Sequence, residues 1–277
     1  EFEAQKTCYM CSTPMYRLKS GETVQTMEKG LRSKLAVRDH CHVTGEYRGA
    51  ACNKCNLAAR TPKYFTVLFH NGKNYDFHLI TNILNSNDGR IECLPSGSSE
   101  KYSTMTVGNI KFVDSCALLN GSIAKLAESL GPDDFKLTKQ LKIKGMQVSD
   151  EDLKLVMKKI PYPYTYLNSA ERMGEATPID RKHFFNDLSN EEMTKEEYEV
   201  YKLICSRLNL LTNQDYHDLC LTLDVLLLSD IMERSRDIFL KNYKIDLLYC
   251  ISLPQFSYQA MLRMTGVEIE QITDIDI

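Results

Sequence analysis

Short apolar runs rich in β-branched and aromatic residues begin after Pro62 and are typical of β-strands. We expect strands near residues 65–69, 91–94, 102–107 and 110–113, with a hairpin loop at residues 95–100. From about residue 149 the apolar spacing is mostly helical, and the longest predicted helix runs from Asp215 toward Tyr243. Strands and helices mixed along one chain predict a mixed α/β fold.

The length and composition are those of an ordinary folded protein. The chain has 277 residues, of which 43% are hydrophobic and 26% are charged, enough material for a sizeable core. No apolar run approaches the ~20 residues that a membrane helix needs, and no charged-then-apolar leader opens the sequence. We therefore expect an intracellular protein with no membrane partner.

Charge is unevenly distributed along the chain. Residues 1–60 carry ten Lys or Arg against six Asp or Glu, a net charge of +4, whereas residues 61–277 carry 24 against 31, a net charge of −7. A basic segment attached to an acidic body favours a polyanionic partner such as DNA, because neutralising phosphates drives such contacts. A basic surface that is merely solvated explains the charge equally well.

Cysteines are the strongest chemical feature of the basic segment. Four of the ten form two C-x-x-C pairs, Cys8 with Cys11 and Cys52 with Cys55, while the other six are scattered. Paired cysteines without a secretory leader favour a metal site in a reducing compartment over disulfides. Four thiolates can hold structural Zn²⁺ tetrahedrally and supply folding energy that a small module with few large apolar residues lacks. The alternative is two unrelated pairs.

A short polar motif, Asp39-His40-Cys41-His42, lies between the two pairs. Strand alternation would place Asp39 and Cys41 on one side and the two histidines on the other. Asn56 follows the last paired cysteine, at the expected start of a helix. Oxygen ligands suit a hard cation such as Mg²⁺ or Mn²⁺, and a neutral histidine beside them can deprotonate water, which favours phosphodiester hydrolysis. The alternative is that His40 and His42 are extra zinc ligands or packing groups.

The run from Cys8 to Asn56 resembles the zinc-bearing ββα-metal (HNH) nuclease module of phage recombination endonuclease VII. The resemblance implies structural Zn²⁺ on the four paired cysteines. It also implies that Asp39 and Asn56 bind the catalytic Mg²⁺ or Mn²⁺ and that His40 is the general base. His42 would be a second active-site histidine that steadies the phosphate or the leaving oxygen.

Two further features of this module bear on DNA binding and activity. Arg38 and Arg48 flank the motif, and we expect these basic side chains to contact DNA. The phage enzyme has an acidic residue shortly after the Asn, where this sequence has Leu57-Ala58-Ala59-Arg60. This departure bears on activity rather than on the fold.

Two carboxylates in the rest of the chain stand out. Asp76 follows a predicted strand and begins a predicted helix, and Asp224 lies within the apolar helical run from Leu221 to Leu228. Burying a carboxylate among apolar neighbours is expensive unless it is paired or metal-bound. From periodicity alone, the polar face of an amphipathic helix accounts for Asp224 equally well.

Four segments of this body resemble, in order, the exonuclease region of protein-primed family B DNA polymerases, most closely those of Polinton/Maverick transposons and related viruses. The segments are His70–Asp76, Val113–Ser115 with Gly121–Leu126, Tyr216–Leu228, and the tail Leu253–Leu262 with Thr273–Asp276, which resembles the link into the polymerase domain. The resemblance implies a ribonuclease-H-like 3′–5′ exonuclease domain in which Asp76 and Asp224 are catalytic carboxylates. It also implies that Asn71 contacts a single-stranded 3′ end and that Ser115 lies near the primer terminus. Those transposon polymerases carry an endonuclease VII-like insert ahead of the second motif.

The exonuclease motifs are incomplete in this sequence. The D-x-E carboxylate pair of a two-metal exonuclease is expected on an earlier strand, and the chain begins too late to contain it. The water-orienting Tyr of the third motif is Cys220, whose thiol is shorter. The palm, fingers and thumb are absent as well. We therefore expect an inactive exonuclease body and no polymerase active site.

These observations predict a zinc-stabilised HNH module at residues 1–62 and a partial ribonuclease-H-like domain with a helical C-terminal part at residues 63–277. In the first hypothesis the chain is the DNA-binding, metal-dependent nuclease region of a protein-primed family B polymerase. The alternatives are an independent HNH endonuclease with an exonuclease-like scaffold, and a non-enzymatic zinc module that positions DNA or a partner protein. We expect DNA and a C-terminal polymerase domain as partners, no small-molecule substrate, and action in the nucleus or at a site of viral or transposon replication.

Overall fold

A computed structural model describes residues 2–41, 44–59, 64–85, 89–187 and 190–270, the side chains of residues 98–100 excepted. The chain divides into two compact units, Glu1–Phe65 and Thr66–Ile277, and the sequence analysis placed this boundary after residue 62. Strands and helices are both present, which confirms the mixed α/β fold class. Among the described helices, none combines the length and the apolar composition of a membrane span.

The first unit is built on a strand–strand–helix arrangement. Strands β1 (Ala36–His40) and β2 (Tyr47–Cys52) form an antiparallel hairpin, and helix α1 (Asn53–Ala58) follows β2 without a break. The hairpin connection is closed in part by a 2.8 Å hydrogen bond from the Gly45 N–H to the Cys41 carbonyl. Gly45 has a φ of +75°, a left-handed conformation that glycine adopts without strain.

Little apolar side-chain volume is buried in this unit. A 3-10 turn at Lys29–Lys34 precedes β1 and packs against α1, where the Asn53 N–H donates to the Leu35 carbonyl at 2.8 Å. Among the described residues of the unit, the buried apolar side chains are Cys8, Met27, Ala50, Ala51 and Cys52. A core this small leaves the unit in need of another source of folding energy.

A four-stranded sheet opens the second unit. Its strands are β3 (Phe65–Phe69), β4 (Ile91–Ser96), β5 (Ser98–Val107) and β6 (Ile110–Asp114), in the order β3-β6-β5-β4. The pairs β4–β5 and β5–β6 are antiparallel. The C-terminal ends of β3 and β6 meet, because Asp114 at the end of β6 accepts a 2.9 Å hydrogen bond from the Asn71 N–H just beyond β3. A separate small hairpin pairs β7 (Lys142–Ile143) with β8 (Met146–Gln147).

Helices form most of the second unit beyond the sheet. They are α2 (Asp76–Ile83), α3 (Ile123–Ala127), α4 (Asp150–Val156), α5 (Ala170–Met173), α6 (Lys195–Arg207), α7 (Asn213–Tyr243) and α8 (Leu253–Thr265). Helices α6 and α7 both begin at a capping box, in which Thr194 and Thr212 exchange hydrogen bonds with the acidic residue three positions later. Short 3-10 turns occur between these elements, for example at Arg181–Phe184 and Leu247–Tyr249.

Helix α7 runs through the core of the second unit. Its 31 residues span about 46 Å at 1.5 Å per residue. Near its start, Tyr216 and Leu223 pack with buried residues of α4 and α6. Leu227 and Ile231 pack with α3, and Met232 packs with β6 and α8. A single helix therefore contributes to each of these three buried clusters.

Most of the predicted elements of the second unit are confirmed, including the strand at residues 65–69 and the long helix, which begins at Asn213. The loop predicted at residues 95–100 is wrong. Strand β4 extends to Ser96 and β5 starts at Ser98, so the turn is confined to Gly97, whose φ is +76°. A glycine in this conformation permits so tight a turn that the polar residues beside it continue the strands.

Candidate metal centre and hydrolytic residues

The four paired cysteines converge on one point of the first unit. Their sulfur atoms all lie within 4.8 Å of one another, and the Sγ atoms of Cys11 and Cys52 are 3.9 Å apart. Four sulfurs at the usual Zn–S distance of about 2.3 Å form a tetrahedron with edges of about 3.8 Å. All four are free thiols rather than disulfides. The cluster could therefore hold a metal ion such as zinc.

Local backbone structure explains why both pairs aim their sulfurs inward. In the first pair the Ser12 N–H donates to the Cys8 carbonyl at 2.8 Å, which closes a tight turn around the two cysteines. In the second pair Cys52 ends β2 and caps α1, and Cys55 follows in the first turn of that helix. The strand–helix junction and the turn thus each present two thiols.

Hydrogen bonds and mutual proximity shift the acidity of these thiols in opposite directions. Hydrogen bonds from Thr13 and from Cys55 lower the pKa of the Cys11 thiol to about 6. The neighbouring sulfurs of Cys52 and Cys11, with some burial, raise the pKa of Cys55 to about 12. Thiols packed this closely do not all ionise without a cation among them, and a structural Zn²⁺ holds all of its cysteine ligands as thiolates.

The remaining six cysteines are placed differently. Cys205, Cys220 and Cys250 are buried, Cys41 and Cys116 are half-buried, and Cys93 is exposed. Burial raises the pKa of the Cys205 and Cys250 thiols, and it raises that of Cys220 to about 12. Within the described ranges, no second group of His, Cys, Asp and Glu side chains converges as the four paired cysteines do.

Asp39 is buried beside the cysteine cluster and has two protein partners. Its carboxylate, on a residue only 2% exposed, accepts hydrogen bonds from the Tyr9 hydroxyl at 2.6 Å and from the Arg48 guanidinium at 2.9 Å. Burial opposes ionisation, but Arg48 and Tyr9 outweigh it, so the pKa of Asp39 is below its ordinary value. The same contact, together with burial, raises the pKa of Tyr9 to about 12.

A β-bulge and a glycine produce this arrangement. Asp39 pairs with Gly49 and His40 pairs with Tyr47, so Arg48 is the extra residue of β2 and its side chain is directed to Asp39. A Cβ atom on Gly49 would lie 2.8 Å from the Tyr9 ring. The glycine therefore lets the Tyr9 ring pack on the strand and reach Asp39.

The other predicted residues of the module occupy separate positions. His40 is exposed at the end of β1, whereas its neighbour Asp39 is buried, and strand alternation predicts this difference. The strand ends at His40, so Cys41 lies beyond it, and His42 lies outside the described residues. Asn56 is half-buried in α1, which begins at Asn53 rather than at Asn56. Arg38 is exposed on β1, with its guanidinium 5.0 Å from the centre of the Tyr47 ring.

The donors in this module fit a hard cation in kind. A carboxylate at Asp39 and an amide oxygen at Asn56 are ligand types that Mg²⁺ and Mn²⁺ accept. Both oxygens of Asp39 already accept hydrogen bonds, one of them from a guanidinium. A cation at Asp39 would therefore compete with Arg48 for the charge of this carboxylate.

In the second unit, the loop after β3 is tied to the end of β6. The Asp114 carboxylate accepts hydrogen bonds from the N–H groups of Asn71 at 2.9 Å and Lys73 at 3.2 Å. Asn71 has a φ of +66°, and Asp76 begins α2 as predicted. Ser115 is 1% exposed, and its hydroxyl donates to the Phe69 carbonyl at 3.1 Å, so this side chain packs inside the protein. Its predicted proximity to DNA stays a prediction.

Asp224 has a cationic partner, as its apolar sequence context requires. The Lys159 ammonium lies 2.6 Å from its carboxylate, whose side chain is 36% exposed. Burial lowers the pKa of His70, which also senses the charges of Asp114, Lys159 and Asp224. The loop after β3 and the middle of α7 therefore lie near each other in the second unit.

Several functional neighbours were missed by sequence reasoning. Tyr9 lies between the paired cysteines Cys8 and Cys11, and this position in the sequence could have indicated a residue close to the cluster. Lys159 lies 65 residues from Asp224, and no sequence pattern connects the two. Asp230 is 1% exposed and accepts hydrogen bonds from the Leu137 and Thr138 backbone and the Thr138 hydroxyl, which makes it the buried carboxylate of α7.

Comparison with known proteins adds no relative. No protein-family model, no curated protein and no solved structure matches the chain.

Proposed function

We propose that the chain is a DNA-binding protein whose first unit hydrolyses phosphodiester bonds, as the nuclease region of a protein-primed family B polymerase. The observation that carries the proposal is the order of parts in that unit. A hairpin runs directly into α1, a four-thiol cluster closes the junction, and Asp39 and His40 stand at the end of β1. This is the arrangement that the HNH resemblance predicts.

The proposed hydrolysis divides the work among three side chains. Asp39 and Asn56 would hold Mg²⁺ or Mn²⁺, which supplies positive charge against the phosphate when bound. His40 is exposed and adjacent to Asp39, so it is the residue to take the proton from the attacking water. The structural metal at the cysteines fixes the junction on which these groups stand.

The charge of the first unit supports DNA as the substrate. Its acidic side chains include Glu3 and Asp39, which are paired with Arg17 and Arg48. Five exposed, positively charged side chains lie on the 3-10 turn before β1, on β1 itself and on α1. These are Lys29, Arg32, Lys34, Arg38 and Lys54. Such a surface suits the phosphate backbone of DNA.

Plasmid nicking tests the proposal. We expect zinc-loaded protein to nick supercoiled DNA with Mg²⁺ or Mn²⁺, and His40→Ala to lower the rate by about 10²–10⁴-fold, the usual contribution of a general base. His78→Ala, in α2 of the second unit, is the matched control and should keep full activity. Equal nicking by wild type and His40→Ala would remove His40 from the mechanism.

A second candidate is a zinc module that only positions DNA, and one observation favours it. The ion pair between Arg48 and Asp39 occupies the carboxylate that catalysis would use. In that case the protein binds DNA with wild-type affinity in both His40→Ala and Asp39→Asn, and nicks under no metal condition.

The polymerase origin rests on the second unit, whose exonuclease-like centre we propose is inactive. The Lys159 ammonium forms an ion pair with the Asp224 carboxylate, and Cys220 is buried one helical turn before Asp224. Trimming of a single-stranded 3′ end that disappears in Asp224→Ala would contradict this. A native reading frame without a polymerase domain would favour the independent endonuclease instead.

A further inference from the structure

The second unit contains a small pocket whose lining combines aromatic rings and cations with the carboxylate of Asp187, which accepts a hydrogen bond from the Thr165 hydroxyl. The pocket has a volume of about 270 Å³. The residues that matter here are Tyr166, Arg172, Lys182, His183 and Phe185, and we call this group the aromatic pocket. The volume of the pocket is slightly below the roughly 300–1,000 Å³ that is usual for sites that bind drug-sized ligands, so the pocket suits one flat ring system better than a larger molecule.

One wall of the aromatic pocket is rigidly held. The Tyr166 ring contacts both the His183 ring, with centroids 3.9 Å apart, and the Arg172 guanidinium, 4.6 Å from its centre. The Tyr166 hydroxyl donates to Glu175 at 2.5 Å, and Arg172 donates to the Tyr166 carbonyl at 2.8 Å. A wall fixed in this way loses little conformational freedom when a ligand packs on it.

The pocket also has a ring and a charge that are open to solvent. Phe184 is buried in the core and Phe185, the next residue, is 37% exposed. The Lys182 ammonium is 3.3 Å from Asp180, and both side chains are 71% exposed. An ion pair that exposed contributes little, so Lys182 can exchange Asp180 for a phosphate at low cost.

The geometry points to the aromatic pocket as a stacking site for one base of a single-stranded nucleic acid. The base would stack on Phe185 beside the half-buried His183 ring, and the flanking phosphate would meet Lys182. Exposed rings beside cations are the recurring chemistry of single-strand binding, because every base presents a π-face and every linkage a charge. A duplex hides its base faces, so it cannot use this site. The inference rests on the proposed nucleic-acid function but not on cleavage.

Fluorescence anisotropy with the full zinc-loaded chain tests it, using a labelled oligothymidine strand and a duplex of equal length without Mg²⁺ or Mn²⁺. We expect Phe185→Ala to weaken single-strand binding by between about fivefold and a hundredfold and to leave duplex binding unchanged. Phe185→Tyr, which keeps a ring, should retain wild-type affinity. Lys182→Gln should flatten the salt dependence of single-strand binding by about 0.7 in the log–log slope.

Tyr249→Ala is the matched control, since that ring is 69% exposed in the same unit, and it should bind like wild type. Unchanged single-strand affinity in Phe185→Ala, or an equal loss in Tyr249→Ala, would overturn the inference. A further outcome would overturn the inference in favour of a free-nucleotide site. In it, thymidine monophosphate displaces the labelled strand completely at a concentration equal to that of the nucleotides in the strand. The binding assay involves no cleavage, so loss of single-strand affinity in Phe185→Ala would support the stacking site even if the protein nicks no plasmid. Nicking that depends on His40 would likewise support the proposed function even if Phe185→Ala binds like wild type.

Discussion

The two units bury different kinds of side chain. In the first, the described buried apolar residues are alanines, cysteines and one methionine. In the second, the fully buried side chains include Phe77, Tyr201 and Tyr216. Burying a large apolar side chain stabilises a fold by roughly 1.5–3 kcal/mol, and the first unit has almost none of this contribution. One chain thus combines a unit that has a four-cysteine cluster and a small core with a unit that has large buried side chains.

Metal removal should separate the units most strongly. Structural zinc contributes roughly 10–16 kcal/mol of apparent binding free energy in small modules, so chelation should unfold the first unit and leave the second folded. Hydrogen exchange should show lost protection across β1, β2 and α1 and retained protection in α7. Cys52→Ser should reproduce the chelator's effect, and Cys93→Ser, at an exposed cysteine outside the cluster, should not. Equal protection in both units after chelation would break the comparison.

A cavity created in α7 should destabilise the second unit and leave the first unit folded. Leu227 is 0% exposed, and Leu227→Ala should lower the free energy of unfolding of the second unit by about 2–5 kcal/mol. Leu221→Ala is the control on the same helix, because Leu221 is 59% exposed and should cost less than about 0.5 kcal/mol. Urea unfolding followed by the helical signal measures both. A loss of metal affinity in Leu227→Ala would contradict independent stabilisation.

Acid should weaken the second unit through an ion pair. Burial opposes ionisation of Asp246, but Arg236 at 2.6 Å and the Leu248 N–H at 3.0 Å outweigh it, so its pKa lies below the ordinary 3.8. Because the pKa of Asp246 is lower in the folded protein than in the unfolded chain, its ionised carboxylate stabilises the fold at pH values above the unfolded-state pKa. This stabilisation is lost as the pH falls through the folded-state pKa. Asp246→Asn should therefore cost about 1–3 kcal/mol at pH 7 and progressively less as the pH falls below the ordinary pKa of 3.8.

Urea titrations of wild type and Asp246→Asn at pH 7, 5 and 3 measure this difference. The difference in the free energy of unfolding between the two proteins should be nearly the same at pH 7 and pH 5 and smaller at pH 3. A constant difference across all three would show that Asp246 acts through packing rather than through its charge.

The smallest expected effect concerns Arg48. Because the Arg48 guanidinium competes with a cation for the Asp39 carboxylate, Arg48→Ala should lower the concentration of Tb³⁺ needed for half-saturation by up to about tenfold. The Tyr9 hydroxyl is 2.6 Å from the carboxylate, so Tb³⁺ bound there is excited through the phenol, and Tyr9→Phe should abolish that emission. Arg38→Ala, an exposed arginine of the same unit, is the control. Absence of Tyr9-dependent emission in both wild type and Arg48→Ala would mean that Asp39 binds no cation.

Features set by short-range patterns were predictable from the sequence. The C-x-x-C spacing places two sulfurs on each turn, and a shared ion is the simplest reason for two such turns to converge, so the four-cysteine cluster was expected. The alternation that buries Asp39 and exposes His40 follows from strand geometry. The long apolar periodicity of α7 likewise defined that helix to within two residues of its start.

Features set by tertiary contacts were not predictable. The Arg48–Asp39 pair needs a bulge and a glycine that accommodates the Tyr9 ring, and neither has a sequence signature here. The Lys159–Asp224 pair joins residues whose proximity depends on how the helices pack. The Asp114 carboxylate holds the backbone of the loop after β3, at residues 43 and 41 positions earlier in the chain. In each case a charged group found its partner through the fold.

The long helix α7 has a consequence for how the second unit opens. Its successive turns supply Tyr216, Leu227 and Met232 to three different buried clusters, so none of these clusters keeps its packing once the helix frays past its middle. Amides of all three regions should therefore exchange with solvent at one common rate, as a single cooperative foldon. Cutting the backbone near Leu227 would release three cores at once rather than one.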